Sequence, residues 1–146
     1  MVVNIDEIEW EEWSHGDRYG SRSKHLGSAA GGRALGMVML ELSPGKQSSP
    51  LHLHTAEEEH IFLVEGEATL LHGEDCIHLS AGDYACFLPG TDQQAHALYN
   101  HSQEVCRFLV MGQRCKDDVV VYPEQNRVQV KALGKIYEGS EELSMD

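Results

Sequence analysis

The sequence has few basic residues, with 11 Lys and Arg against 24 Asp and Glu and a formal net charge of −13 over 146 residues. An acidic surface repels the phosphate backbone, so no nucleic-acid partner is expected. Long apolar runs are also missing, and the start, Met1 to Asp6, lacks the basic end and apolar stretch of a signal peptide. We therefore expect no membrane contact and a cytoplasmic location.

Cysteine is scarce and widely spaced. The four cysteines never form a CxxC pair, which excludes a zinc ribbon and a thioredoxin-like motif and predicts free thiols. A glycine-rich phosphate loop and the nucleophile elbow of a hydrolase are also absent from the sequence. The chain therefore has to carry its function on other side chains.

Short β-strands separated by Gly, Pro and Asp turns dominate the sequence and predict an all-β sandwich or barrel. The length fits one domain. We expect an N-terminal arm (1–34), a barrel core (35–122), a C-terminal segment packed on the barrel (123–138) and a disordered tail (139–146). Residues 6–13 suit a short helix or an edge segment, and residues 14–34 suit a polar loop with a small basic patch. Strands are predicted at 35–42, 60–65, 67–72, 76–79, 84–88, 95–99, 105–111 and 119–122.

The segment from His52 to His60 holds three imidazoles and three carboxylates. Because side chains alternate faces along a strand, His52 and His54 project to one side, about 7 Å apart. A turn after His54 would bring Glu59 beside them. His96 is the best candidate for a fourth ligand, with His101 as the alternative. Together they predict a metal site.

Two motifs carry a family resemblance. Six residues separate Gly45 from the HxH pair, four separate His54 from Glu59, and six separate Glu59 from Gly66. A second pattern runs from Gly82-Asp83 through Pro89-Gly90 to His96 and Asn100, with small insertions before His52 and His96. The pair of motifs resembles the cupin superfamily, in its small, single-domain, RmlC-type form.

The resemblance implies a fold and a site. The fold is a cupin β-barrel, which is a double-stranded β-helix or jelly roll. The metal ligands implied are His52, His54, Glu59 and His96, holding one divalent ion that could be Zn, Fe, Mn, Ni or Cu. Glu59 could also exchange a proton with a substrate.

If such an ion is six-coordinate, two of its positions remain open, and three functions follow. The first is a metalloenzyme that isomerises or cleaves a small, oxygen-rich, sugar-like or enolisable molecule. The second is a cupin dioxygenase. The third is a non-catalytic role. The protein would then either bind or sense a small molecule through its metal, or be a scaffold in which the metal or an empty site only stabilises the barrel. We favour isomerase or lyase chemistry, because the strands near the site show no dense aromatic cluster.

The remaining ionisable residues of this region receive structural interpretations. Glu57 and Glu58 are predicted to lie in a solvated turn, and His60 to point away from the ion. His72 and His78 have no partner ligand at matching spacing, so both are predicted at the surface.

Strand parity bears on assembly. Ile61 and Leu63 share the face of Glu59 and should line the interior, yet Phe62 and Val64 on the opposite face are also apolar. A strand that is apolar on both faces lies between two layers. A homodimer would provide the outer layer.

Overall fold

The computed structural model describes residues 1–90 and 92–139. In these ranges nearly all regular structure is β. The one α-helix, α1, is a single turn at Leu26–Ala29, and 3-10 turns lie at Ile5–Glu7, Asp92–Gln94, Pro123–Gln125 and Lys131–Leu133. The strands are β1 Glu11–His15, β2 Tyr19–His25, β3 Leu35–Leu42, β4 Leu53–His54, β5 Glu59–Glu65, β6 Glu67–His72, β7 Asp75–Ser80, β8 Tyr84–Phe87, β9 His96–Tyr99, β10 Cys106–Gln113, β11 Val119–Tyr122, β12 Arg127–Val130 and β13 Lys135–Glu138.

Antiparallel pairing organises these strands into three groups. Six strands pair in the order β1-β2-β3-β10-β5-β8, four in the order β13-β12-β11-β4, and three in the order β7-β6-β9. Single bridges connect the groups, including one between His52 and His96. The all-β prediction is confirmed, and the functional histidines lie where the groups meet.

The core lies between the groups and follows the predicted parity. Leu63 is 1% exposed and Ile61 is 3% exposed, whereas Val64 on the opposite face of β5 is 42% exposed. The inward residues of β3 and β10, such as Leu42 and Phe108, pack against the same cluster. The outer face of this sheet is therefore apolar and uncovered at Val64.

The prediction of a polar loop over 14–34 is wrong for residues 14–15, which end β1, and for residues 19–25. Residues 19–25 form β2, which pairs with both β1 and β3. Arg22 on β2 donates to the buried carboxylate of Glu41 on β3, with Nε to Oε1 at 3.0 Å. The strand is thus fixed by its neighbours, and the first part of the chain extends the main sheet.

Two motif residues have structural roles. Gly66 joins β5 to β6 with φ of +83°, and a Cβ there would lie 2.9 Å from the carbonyl oxygen of Val105, so only glycine fits. Asn100 is fully buried, and its amide donates to the carbonyls of Leu42 (2.9 Å) and Glu104 (2.8 Å). Asn100 thereby closes the loop that leads into β10.

Two further expectations concern the cysteines and the last residues of the chain. All four cysteines are free, as predicted. The predicted disordered tail lies outside the described residues from position 140 onward. Among the residues that are described, no helix is long and apolar enough to cross a membrane.

Candidate metal centre

The structure brings His52, His54, Glu59 and His96 together. His54 Nε2 lies 3.3 Å from Glu59 Oε2, and His96 Nε2 lies 2.9 Å from Glu59 Oε1. The His52 ring centroid lies 5.4 Å from that of His54 and 4.8 Å from that of His96. Potential ligand atoms of His52, His54 and Glu59 all lie within 4.8 Å of one another. Three imidazoles thus surround one carboxylate.

Local backbone pairing fixes this convergence. His52 and His96 exchange backbone hydrogen bonds, with N···O distances of 3.3 and 2.9 Å. His54 lies on β4, which pairs with β11, and Glu59 begins β5 in the middle of the six-stranded sheet. Because Glu59 shares the inward face of β5, its carboxylate points toward both histidine segments. Strands from all three groups therefore supply the site.

The outer nitrogen of each imidazole is held by an acceptor. His96 Nδ1 lies 2.8 Å from the Gln94 carbonyl, and His52 Nδ1 lies 3.1 Å from the Pro50 carbonyl. His54 Nδ1 lies 2.8 Å from Asp118 Oδ2. A carbonyl or carboxylate oxygen only accepts, so each Nδ1 carries a proton, and Nε2 is the atom turned toward Glu59, where a metal ion would take the place of any proton that Nε2 carries. Metal-binding histidines are oriented in this way.

Asp118 is the main residue that sequence reasoning missed. Its side chain is fully buried, and Oδ1 accepts from the backbone N–H of Ala56 (3.0 Å) and Glu57 (3.3 Å). Oδ2 accepts from His54 and lies 3.0 Å from Lys131 Nζ. In the sequence Asp118 looks like part of an acidic turn, 64 positions from His54, and no local pattern connects the two.

The prediction that Glu57 is solvated is wrong. Glu57 is 7% exposed, and its carboxylate accepts from the backbone N–H of Cys115 (2.7 Å) and from Lys131 Nζ (2.6 Å). Lys131 therefore bridges Glu57 and Asp118. The two buried acids and the lysine form a support behind His54.

The other histidines lie elsewhere. His60 points to the outer face, where it contacts Glu58 and Tyr84, as predicted. His78 is exposed, as predicted, and His101 hydrogen-bonds to Thr69 rather than approaching Glu59.

The surface prediction for His72 is wrong. His72 pairs directly with His96 in the ladder between β6 and β9, its Nε2 is buried, and its ring lies 5.6 Å from that of Phe87. Phe87 also stacks on His96, with ring centroids 3.6 Å apart and planes 7° apart. An aromatic layer thus fixes the orientation of the fourth imidazole.

Charge and burial set the protonation of the site. Burial lowers the pKa of His52 to about 4, and the nearby His96 adds to the shift. Burial alone would raise the pKa of Glu59, but hydrogen bonds from His54 and His96 outweigh it and hold that pKa well below its usual range. At neutral pH His52 is a neutral imidazole and Glu59 a carboxylate, which are the forms that bind a metal.

The donor set fits a divalent metal ion. Neutral imidazole and carboxylate suit Zn, Fe, Mn, Ni and Cu. The Nε2 atoms of His54 and His96 already face one carboxylate, and each imidazole is oriented by a fixed acceptor.

Comparison with known proteins identifies the family. Residues 38–112, about half of the chain, match the family model described as the cupin domain. The chain belongs to the cupin family. The matched region of this cupin runs from Val38 in β3 to Gly112 in β10 and contains all four of the predicted ligands. No curated protein is significantly similar in sequence.

Solved structures of other cupins cover nearly the whole chain. A provisionally assigned sugar phosphate isomerase from Acidithiobacillus ferrooxidans is 32% identical, with a TM-score of 0.83, 91% of this chain covered and 85% of that chain. A sugar phosphate isomerase of the cupin superfamily from Silicibacter pomeroyi is 26% identical, with a TM-score of 0.83 and coverage of 94% and 92%.

A more distant similarity is to an oxalate decarboxylase, assigned by prediction, from Thermotoga maritima. It is 25% identical, with a TM-score of 0.67, and covers 79% of this chain and 100% of that chain. The share of this chain that is covered is lower than for the two isomerase structures.

Proposed function

We propose that this cupin is a metal-dependent isomerase that acts on a sugar phosphate or a similar enolisable sugar. The observation that carries the proposal is the set of three imidazoles with Nδ1 held from behind and Nε2 left for a metal, arranged around Glu59. Two structures bearing sugar phosphate isomerase assignments, similar over more than nine-tenths of the chain, support the choice of substrate.

His52, His54, Glu59 and His96 would hold the ion. A divalent ion bound there would act as a Lewis acid on two neighbouring oxygens of the sugar, which makes the proton on the adjacent carbon easier to remove. Three neutral ligands and one carboxylate leave the local charge near +1, so such oxygens would be attracted.

Glu59 is best interpreted as a ligand and not as the base. Its carboxylate accepts from two imidazoles, and its pKa is held well below the usual range by those hydrogen bonds, against the effect of burial. A carboxylate with so low a pKa is a weak proton acceptor near neutral pH. Its contribution is to fix charge and geometry.

Exchange of substrate hydrogen tests the proposal. Zn, Fe, Mn and Ni forms are incubated in D2O with aldose and ketose phosphates, and deuterium at the carbon beside the carbonyl is followed by proton NMR. We expect exchange and isomerisation in at least one metal form and neither in His96→Ala. The matched control is His101→Ala, which alters an imidazole of the same segment outside the site.

Other outcomes would favour the alternatives. Oxygen consumption by the Fe form, measured with an oxygen electrode, would indicate a dioxygenase. Saturable sugar binding without exchange or turnover in any metal form would contradict the isomerase and leave a binding or sensor protein.

We also propose that the chain forms a homodimer through the outer face of the six-stranded sheet. Met37 and Val64 on this face are 37% and 42% exposed, and Tyr84 is 58% exposed. Burying such side chains against a second copy removes their apolar surface from water. This burial stabilises the dimer by about 25 cal/mol per Å² of apolar surface.

A further inference from the structure

The metal centre continues into a row of side chains across the four-stranded sheet. In the ladder between β4 and β11, Val120 lies opposite His54, and two residues further along Tyr122 lies beside His52, with ring centroids 5.9 Å apart. In the next ladder Tyr122 lies opposite Arg127. Residues opposite one another in a ladder share a face. His52, Tyr122 and Arg127 therefore lie side by side on the face that carries the site.

Arg127 is held against Tyr122, and one of its hydrogen-bond donors, Nε, is without a partner in the described part of the chain. Its guanidinium carbon lies 4.5 Å from the centroid of the Tyr122 ring. Its Nε is buried and has no hydrogen-bond partner among the described residues. Glu138 lies opposite Arg127 in the ladder with β13, but among residues 1–90 and 92–139 the arginines that pair with a carboxylate are Arg22 and Arg107. A buried donor without an acceptor is unfavourable.

Lys131, which lies in the same part of the fold, offers a contrast. Its ammonium is already held between the carboxylates of Glu57 and Asp118, at 2.6 and 3.0 Å. Lys131 is thus neutralised by the carboxylates behind His54, whereas Arg127 forms no such pair among the described residues and its Nε is without an acceptor. A guanidinium suits bidentate recognition of a phosphate or carboxylate.

We propose that Arg127, stacked on Tyr122, binds the phosphate of the substrate while the metal centre holds the sugar oxygens. This inference rests on the proposed function and adds the position of the phosphate. Two strand spacings separate His52 from Arg127 along the row, about 10 Å between backbones. In an extended sugar phosphate the phosphorus lies roughly 6 Å from the second carbon, because five bonds separate the two atoms and each bond adds about 1.2 Å. The arginine side chain spans the remainder.

A second basic surface is an alternative location for the substrate phosphate. A cavity of about 450 Å³ is lined by Arg33, Arg114, Lys116 and Lys131, together with Glu57. It lies behind the Asp118 support and not in the His52 row. Lys116 is exposed and lines this cavity, so its substitution separates the two locations.

Binding measurements on the metal-loaded protein test the proposal. The probes are erythrose 4-phosphate, ribose 5-phosphate and glucose 6-phosphate, each compared with its unphosphorylated sugar by isothermal titration calorimetry. We expect the wild type to bind at least one phosphate ester tenfold or more tightly than its parent sugar. Arg127→Met should remove that preference, Arg127→Lys should retain part of it, and Lys116→Met should retain all of it. Metal content should be unchanged in all three variants.

Several results would overturn the inference. These are an unchanged preference in Arg127→Met, a preference lost in Lys116→Met alone, or no preference in the wild type. If Arg127→Met does not fold, Arg127→Lys is the deciding variant, because it keeps the charge and loses the bidentate donors. A full preference for the phosphate ester in Arg127→Lys would then overturn the inference. Phosphate binding through Arg127 with no isomerisation of any ester would refute the proposed function and leave this inference standing. Isomerisation with an unchanged KM in Arg127→Met would support the proposed function and refute the assignment of the phosphate to Arg127.

Discussion

Replacement of Asp118 by Asn should weaken both the fold and the metal centre. The two carboxylate oxygens face four donors: two backbone N–H groups at Oδ1, and the His54 imidazole and the Lys131 ammonium at Oδ2. An amide has one oxygen, so its NH2 group must face one of these donor pairs. A lost hydrogen bond to a charged group is worth about 1.5–3 kcal/mol, and we expect a loss of about 3 kcal/mol of unfolding free energy.

The effect on metal binding follows from the orientation of His54. Without an acceptor fixed behind Nδ1, Nε2 is no longer held toward Glu59, and loss of such a partner typically lowers metal affinity about 10–100-fold. The assay is competition with a chelating dye, alongside thermal unfolding. Asp117→Asn is the matched control, because Asp117 is exposed. Wild-type metal affinity in Asp118→Asn would refute the role given to this residue.

The same variant should alter the pH dependence of the metal-free protein. Burial lowers the pKa of His54, but hydrogen bonds with Glu59 and Asp118 outweigh it and raise that pKa above 6.5. A raised pKa stabilises the fold below the unfolded value of about 6.5, and the contribution is lost as pH rises through the folded pKa. The stability difference between wild type and Asp118→Asn should therefore shrink above pH 6.5. A difference that grows instead would contradict this account.

Three further predictions concern the fold and the assembly. Gly66→Ala should lower the unfolding free energy in denaturant titration by about 2 kcal/mol or more, because alanine must adopt positive φ and approach the Val105 carbonyl; an unchanged midpoint would count against it. Asn100→Ala should lower it by about 3 kcal/mol, since the buried Leu42 carbonyl loses its donor; a loss below 1 kcal/mol would argue otherwise. Light scattering should give twice the 16.3 kDa chain mass and a reduced value for Val64→Glu, whereas a wild-type monomer would exclude the dimer.

Much of the site could be predicted because its information is local. His52, His54 and Glu59 lie within eight positions, and strand alternation alone places them on inward faces. The predicted bounds of 35–42, 67–72 and 119–122 match β3, β6 and β11, in each of which apolar residues make up at least half of the strand. Local composition and strand period determine these elements.

The missed features depend on distant partners. The sequence of β2, with glycine, serines and charges, has little β pattern, and the strand is fixed by its ladder with β3 and by the pair of Arg22 with Glu41. Asp118 reaches His54 only once β11 pairs with β4. Glu57 stands in a run of three acids, which suggests solvent exposure, yet Lys131 lies 74 positions away and neutralises it.

Metal content tests the central claim most directly. Protein purified without added metal is reloaded with Zn or Mn, desalted and measured by native mass spectrometry, for the wild type and for His96→Ala, with His101→Ala as the matched control. We predict one divalent ion per chain in the wild type and in His101→Ala, and an occupancy at least tenfold lower in His96→Ala, given the usual effect of disturbing a ligand shell. Equal metal content in all three proteins, or loss in His101→Ala alone, would contradict it.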